Sequence, residues 1–213
     1  MYRILCYGDS NTWGYTPGTG ARYAPDVRWT GVAQKALGEN YLLLEEGLNS
    51  RTTVYENRVS PYRNGADYLF PCLMSQKPLD LVVLMLGTND LRWTNAHGAA
   101  DGARLLCKHI RLAQHLEESS PVFPNGPRIL LIAPPKAHQI LASQDCPEKV
   151  FHYYEESRHF GRLYEAVARE LGLAFLNAAD FTQPSPIDGV HLDTESHRRL
   201  GMAVAEKIQS LLE

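Results

Sequence analysis

The stretch Leu79-Asp80-Leu81-Val82-Val83-Leu84-Met85-Leu86, followed at once by Gly87-Thr88-Asn89-Asp90, decides the fold of this 213-residue chain. Apart from Asp80 the run is apolar throughout, without the alternation of a strand that shows one face to water. A short continuous run of this kind, closed by turn residues, predicts a strand covered on both faces by helices, as in a parallel sheet. Working outward, strand-like runs recur at Arg3 to Tyr7, Tyr41 to Leu44, Arg128 to Ala133 and Ala174 to Leu176. Longer segments with helical periodicity separate them. Leu200, Val204, Ala205, Ile208, Leu211 and Leu212 define one face of a final helix, with Asp193 or Thr194 as its N-cap. Leu105, Leu106, Ile110, Ala113 and Leu116 define another helix, and Val150 to Leu171 a third, ended by Gly172. Pro121 to Pro127 reads as a surface connection, since a strand follows directly. The expectation is an α/β fold: a three-layer α/β/α sandwich, flavodoxin-like, with a central parallel five-stranded sheet in a single domain of residues 1–213. Open sheets of this type bind ligands outside the carboxyl ends of their strands, so the chemistry is sought at the strand-to-loop junctions.

Composition narrows the class. With 44% hydrophobic and 21% charged residues and a net charge of -3, the chain has the balance of an ordinary globular protein. It lacks the basic runs that grip nucleic acid. It has no apolar stretch of about 18 residues that could span a bilayer and no signal-peptide pattern, so a cytoplasmic protein without membrane or nucleic-acid partners is expected. Cys6, Cys72, Cys107 and Cys146 are scattered without a Cys-x-x-Cys pair. That spacing speaks against a zinc knuckle or a redox dithiol, and reduced, buried thiols are expected.

The first junction reads Tyr7-Gly8-Asp9-Ser10-Asn11-Thr12-Trp13-Gly14. Taken alone, Gly-Asp-Ser is an ordinary polar turn. A serine there becomes a nucleophile only with a base in hydrogen-bond reach and donors for the oxyanion it creates. A base is available in Ile187-Asp188-Gly189-Val190-His191-Leu192-Asp193, just ahead of the final helix. Two residues separate Asp188 from His191, so on a turn the carboxylate can accept from Nδ1 and leave Nε2 to take the serine proton. The alternative is a turn feeding a helix cap, for which Asp-Gly is a strong signal. At the third junction Asn89 can aim its amide at an oxyanion or merely turn the chain. At the second, Glu45-Glu46-Gly47-Leu48-Asn49-Ser50-Arg51-Thr52-Thr53, any residue but proline can offer a backbone N–H. Each piece alone is weak. Together, in this order and each at a predicted strand end, they form a pattern that turn chemistry explains poorly.

The chain resembles the SGNH (GDSL-type) hydrolases over almost its whole length, through Gly8-Asp9-Ser10, Gly87-Thr88-Asn89-Asp90 and Asp188-x-x-His191. The strings Arg22 to Gly31, Glu45-Glu46-Gly47-Leu48 and Arg51-Thr52-Thr53 are similar to the arylesterase/acyltransferase subgroup. The resemblance implies a serine esterase or acyltransferase with Ser10 as nucleophile, Asp188 and His191 as its proton relay, and the Ser10 and Ser50 amides with Asn89 as oxyanion donors. It implies a small ester as substrate, water or an alcohol as acyl acceptor, and no metal or organic cofactor. It also raises a homo-oligomer, with residues 13–28 as an interface. Two positions depart from the pattern. The family's oxyanion glycine falls on Ser50, which requires backbone angles that tolerate a side chain. The residue after the nucleophile, often leucine, is Asn11, which is expected to make the pocket floor polar.

Asp9, Asn11, Trp13, Tyr15 and Val190 are further candidates for the substrate pocket, although aromatics such as Trp13 and Tyr15 beside a helix start also serve as core. His152, Glu155, Glu156 and His159 share a helical face, and a single Glu-x-x-His there is read as a solvated face rather than a metal site. The loop from Pro134 to Pro147 follows a strand end and is expected to cover the substrate. One rival is a flavodoxin-like protein in which Ser10, Asn11, Thr12 and the following helix N-terminus cradle phosphate or flavin. Another is a non-catalytic carbohydrate-binding domain. The first leaves Asn89 and the Asp188/His191 pair without a role. The second predicts binding without turnover.

Overall fold

The computed structural model describes residues 1–57, 60–116, 119–140 and 147–213. Five strands, β1 (Tyr2–Gly8), β2 (Tyr41–Gly47), β3 (Leu81–Met85), β4 (Ile129–Ala133) and β5 (Ala174–Asn177), pair in the order β2-β1-β3-β4-β5. Every pairing is parallel. This is the doubly wound order in which the chain reverses direction across the sheet between β1 and β3, the crevice where ligands bind in such folds.

The apolar run at β3 is explained by alternation between two cores. Val82 and Leu84 point into one, and Leu81, Val83 and Met85 into the other. β1 divides in the same way, with Leu5 and Tyr7 on one side and Ile4 and Cys6 on the other. The first core is covered by α3 (Gly65–Gln76), α4 (Ala96–Leu112) and α6 (Phe160–Leu171). The second is covered by α2 (Trp29–Leu37) and α7 (Thr194–Leu212). Asp193 is the N-cap of α7, its carboxylate accepting from the Ser196 N–H at 2.8 Å.

Two helical readings need correction. The buried face of α4 is Ala96, Ala99, Ala100, Ala103, Leu106, Cys107 and Ile110, while Leu105 and Leu116 are exposed. Small alanines, which carry little weight in a hydrophobicity pattern, let α4 approach closely and so set its orientation. The segment from Val150 to Leu171 is not one helix but α5 (Pro147–Ser157) and α6, broken at Arg158 and His159. The break has a packing cause. Phe160, Leu163, Tyr164, Val167 and Ala168 must face the sheet, whereas Tyr153 and Glu156 of α5 face the loop beyond β3 and the start of α4.

Cys6, Cys72 and Cys107 are free and buried, and burial pushes the thiols of Cys72 and Cys107 up to about 12. Cys146 lies outside the described residues. Among the described residues no helix is long and apolar enough to cross a membrane.

Candidate active site

The nucleophile candidate sits where β1 runs into the single helical turn α1 (Ser10–Trp13). Asp9 caps that turn. Its side chain accepts from the Asn11 N–H at 3.0 Å, and its carbonyl accepts from the Thr12 and Trp13 N–H groups. These amides are therefore consumed within the turn, and a buried carboxyl stands where the flavodoxin-like rival needs room for phosphate. Burial raises the Asp9 carboxyl to about 6, against the opposing hydrogen bond from Asn11. Two glycines permit the turn to sit this deep. A Cβ on Gly8 would meet Thr12 Oγ1, and one on Gly47 would meet the Trp13 backbone, both at 2.1 Å.

The second component comes from the loop ahead of α7. Asp188 Oδ1 accepts from the Val190 and His191 N–H groups at 3.1 and 3.0 Å, which folds the loop back on itself around Gly189. Its Oδ2 then meets His191 Nδ1 at 2.8 Å. Burial works against the Asp188 charge, but the His191 ring and these two amides outweigh it and hold the carboxyl below its ordinary value. With Nδ1–H donated to a carboxylate, Nε2 is the acceptor, and it lies 3.0 Å from Ser10 Oγ. Such a relay can move a proton from a hydroxyl onto imidazole while the carboxylate stabilises the imidazolium. Tyr15 stacks on the His191 ring with centroids 4.0 Å apart and fixes its plane.

The third component is a set of unused donors. Ser10 Oγ opens onto a cavity of about 410 Å³ that Tyr15, Asn49, Ser50, Asn89 and Val190 help to line. Among the described residues the backbone N–H groups of Ser10 and Ser50 have no protein acceptor. Asn89 Nδ2 donates one hydrogen to the Arg51 carbonyl at 3.1 Å, which holds the amide in place and leaves its second hydrogen available. Ser50 has φ +64°, in the left-handed region that favours glycine. The chain thus bends at Ser50 as it would at a glycine, with a serine bearing the strain.

Buried groups brace these junctions against one another. Arg51 Nη1 donates to the carbonyls of Gly8, at 3.0 Å, and of Glu46, while its guanidinium lies 4.1 Å from the centre of the Tyr7 ring. It thereby ties the ends of β1 and β2 to the peptide that holds Asn89. Asp90 accepts from the Thr53 N–H and hydroxyl. Its burial raises the carboxyl to about 7 despite those donors, with Asp9 adding to the rise. The string Arg51-Thr52-Thr53 is therefore the brace of the second and third junctions.

Of the expected pocket residues, Tyr15 and Val190 line the cavity; Asp9, Asn11 and Trp13 do not. Asp9 is spent on capping. Asn11 is 2% exposed and does not make a polar floor. Its amide spans the histidine loop, Oδ1 accepting from the Leu192 N–H at 3.1 Å and Nδ2 donating to the Val190 carbonyl at 3.3 Å. Trp13 instead packs beneath the Arg22 guanidinium, 5.3 Å from its ring centre. The solvated helical face also needs revision. Glu155 pairs with Arg158 and His159 is exposed, but Glu156 accepts from the Ala96 N–H at 2.8 Å, and His152 Nε2 lies 3.3 Å from the Thr94 carbonyl oxygen. In the loop after β4, the His138 N–H donates to the Gly189 carbonyl at 2.8 Å. Residues 134–140 do not line the cavity, and residues 141–146 lie outside the described residues. Sequence reasoning missed Asn49, Arg92 and Tyr153, which also line it. The position of Arg92, three residues past Asn89, was a usable signal; for Tyr153, on a distant helix, there was none.

The model of the GDSL-like lipase/acylhydrolase family matches residues 6–199, from within β1 into α7 and through all three components of the site. The chain belongs to this family. Solved structures of SGNH hydrolases superpose on it end to end. The native aryl esterase of M. smegmatis is 36% identical, with a TM-score of 0.90 and 100% of each chain covered. A carbohydrate acetylesterase from Sinorhizobium meliloti is 35% identical, again with a TM-score of 0.90 and full coverage of both chains. No curated protein matches the sequence.

Proposed function

We propose that this SGNH family member is a serine carboxylester hydrolase, with residues 1–213 as one catalytic unit. The observation that carries the reading is the unbroken series Asp188 Oδ2, His191 Nδ1, His191 Nε2 and Ser10 Oγ, with steps of 2.8 and 3.0 Å, ending at a cavity. In the proposed reaction Ser10 Oγ attacks the ester carbonyl as His191 takes its proton. The developing oxyanion receives hydrogen bonds from the Ser10 and Ser50 N–H groups and from Asn89 Nδ2. His191 then protonates the leaving alcohol, and an acyl-Ser10 intermediate remains. Water, or an alcohol entering in its place, attacks the acyl carbon with His191 as base and frees Ser10. Small acetyl and aryl esters are the proposed substrates, in keeping with the activities named for the two structural neighbours.

The deciding experiment is intact-mass analysis after treatment with a fluorophosphonate, followed by peptide mapping. A single adduct on Ser10, absent from Ser10→Ala, and parallel loss of p-nitrophenyl acetate hydrolysis are expected. An enzyme that turns over esters without modification at Ser10 would defeat the assignment.

A further inference from the structure

Arg92 and Tyr153 line the cavity but belong neither to the relay nor to the oxyanion donors. Arg92 closes the 3₁₀ turn Asn89–Arg92, and Tyr153 comes from α5. Side chains three apart on a 3₁₀ turn eclipse one another, so Arg92 projects on the same side as Asn89. Arg92 Nε donates to the Tyr153 hydroxyl at 3.1 Å. That bond orients the guanidinium and leaves its Nη1/Nη2 edge over. Among the described residues this edge meets no acceptor and no carboxylate within 4.0 Å. Asp188, the carboxylate lining the same cavity, is committed to His191. Tyr153 accepts from Arg92, so its own O–H is also left to donate. Burial pushes that phenol above its ordinary value, with Arg92 opposing, and so keeps the hydrogen in place.

Among the described residues the wall therefore offers a positive charge, a two-nitrogen fork and a hydroxyl hydrogen, with no acceptor on the fork or on that hydrogen. A guanidinium fork matches the two oxygens of a carboxylate in spacing and plane. The half of the ester that reaches it follows from the reaction proposed above, on which this inference rests. The leaving alcohol must lie against His191 Nε2, beside Tyr15, whereas Arg92 shares its turn with Asn89. We infer that Arg92 and Tyr153 form a carboxylate subsite, and that the preferred esters carry their carboxylate on the acyl half, as half-esters of dicarboxylic acids do.

The test compares kcat/KM for mono-p-nitrophenyl glutarate and p-nitrophenyl valerate, which share leaving group and chain length, after subtraction of the uncatalysed rates. The parent enzyme should favour glutarate roughly tenfold, as expected for a charge-assisted hydrogen bond, and the preference should shrink as salt is added. In Arg92→Gln the ratio should fall to about one, with Arg92→Lys, which keeps the charge but not the fork, in between. Arg92 is exposed, so its variants should fold, and the ratio within each variant is independent of the amount of active protein. No preference in the parent, or a preference that survives in Arg92→Gln, overturns the subsite. An Arg92-dependent preference seen only for 4-acetoxybenzoate over its methyl ester moves the anion to the alcohol half and overturns the acyl assignment. Valerate turnover through Ser10 without glutarate preference defeats the subsite alone. No turnover of either ester, together with an unlabelled Ser10, defeats the esterase reading and this inference with it.

Discussion

Replacing Asn11 by alanine tests whether the catalytic geometry is set by the nucleophile's own neighbour. Asn11 holds the backbone on both sides of His191, through the Leu192 N–H at 3.1 Å and the Val190 carbonyl at 3.3 Å. Leu192 is fully buried, so its N–H cannot turn to water when the acceptor is removed. A buried donor left unpaired costs about 1–3 kcal/mol, and the longer bond to Val190 adds about 0.5 kcal/mol at most. The expected loss of stability is about 2 kcal/mol, which for a chain of this length corresponds to a fall in Tm of roughly 4–8 °C. The effect on turnover should be larger than stability alone explains. Freed at both ends, the loop can shift the imidazole, and a displacement of about 1 Å at a reacting group costs on the order of 100-fold. The assay is kcat for p-nitrophenyl acetate at a temperature where both proteins are folded, with Tm by calorimetry. A variant that melts early but keeps kcat within about twofold of the parent would refute the positioning role and leave Asn11 as packing alone. A variant that loses kcat with no change in Tm would equally refute the energetics, since the orphaned Leu192 donor must register in stability.

Other predictions follow from the same site. Asn89→Ala removes one oxyanion donor and should raise the barrier by ~3 kcal/mol, lowering kcat about 100-fold with the fold intact by circular dichroism; parental rates would take Asn89 out of the site. Because Ser50 has φ +64°, Ser50→Val should turn over at least about tenfold more slowly than Ser50→Gly, as a β-branched residue resists this conformation and would misaim the amide. Equal kcat for the two would mean that the Ser50 N–H does not serve the reaction. Burial raises the carboxyls of Asp9 to about 6 and Asp90 to about 7 from an ordinary 3.8. Both bind more protons folded than unfolded in this interval. Their contribution to stability is therefore full below pH 4 and is lost as pH rises through 6 and 7. Asp90→Asn should flatten the fall in Tm between pH 5 and 7, and an unchanged slope would show that Asp90 titrates like an exposed carboxylate.

What could be read directly from the sequence was whatever depends on residues close together in the chain. Continuous apolar runs closed by glycine and polar turns announced parallel strands covered on both faces, and strand-end polarity located the junctions that carry Ser10 and Asn89, whereas His191 lies on the loop ahead of α7. The spacing of Asp188 and His191 was equally legible, because a turn of two residues is a local structure. Local sequence misleads where the decisive partner is distant. Asn11 looked like pocket floor because its two partners lie about 180 residues away. The break between α5 and α6 was hidden because both halves have helical periodicity, and only the surfaces they meet demand different directions. Glu156 looked solvated until the start of α4 came to lie beneath it.

The sequence by itself thus determined the sheet, its parallel sense and the chemical types available at its carboxyl edge, since periodicity and turn propensity are properties of neighbouring residues. Only the tertiary structure decided that His191 Nε2 stands 3.0 Å from Ser10 Oγ, that Ser50 takes a glycine's backbone angle, and that Arg92 and Tyr153 share the cavity wall. Those outcomes depend on how the strands order and how the helices pack across the sheet, and hydrogen-bond distances between remote side chains are fixed only once that packing is complete.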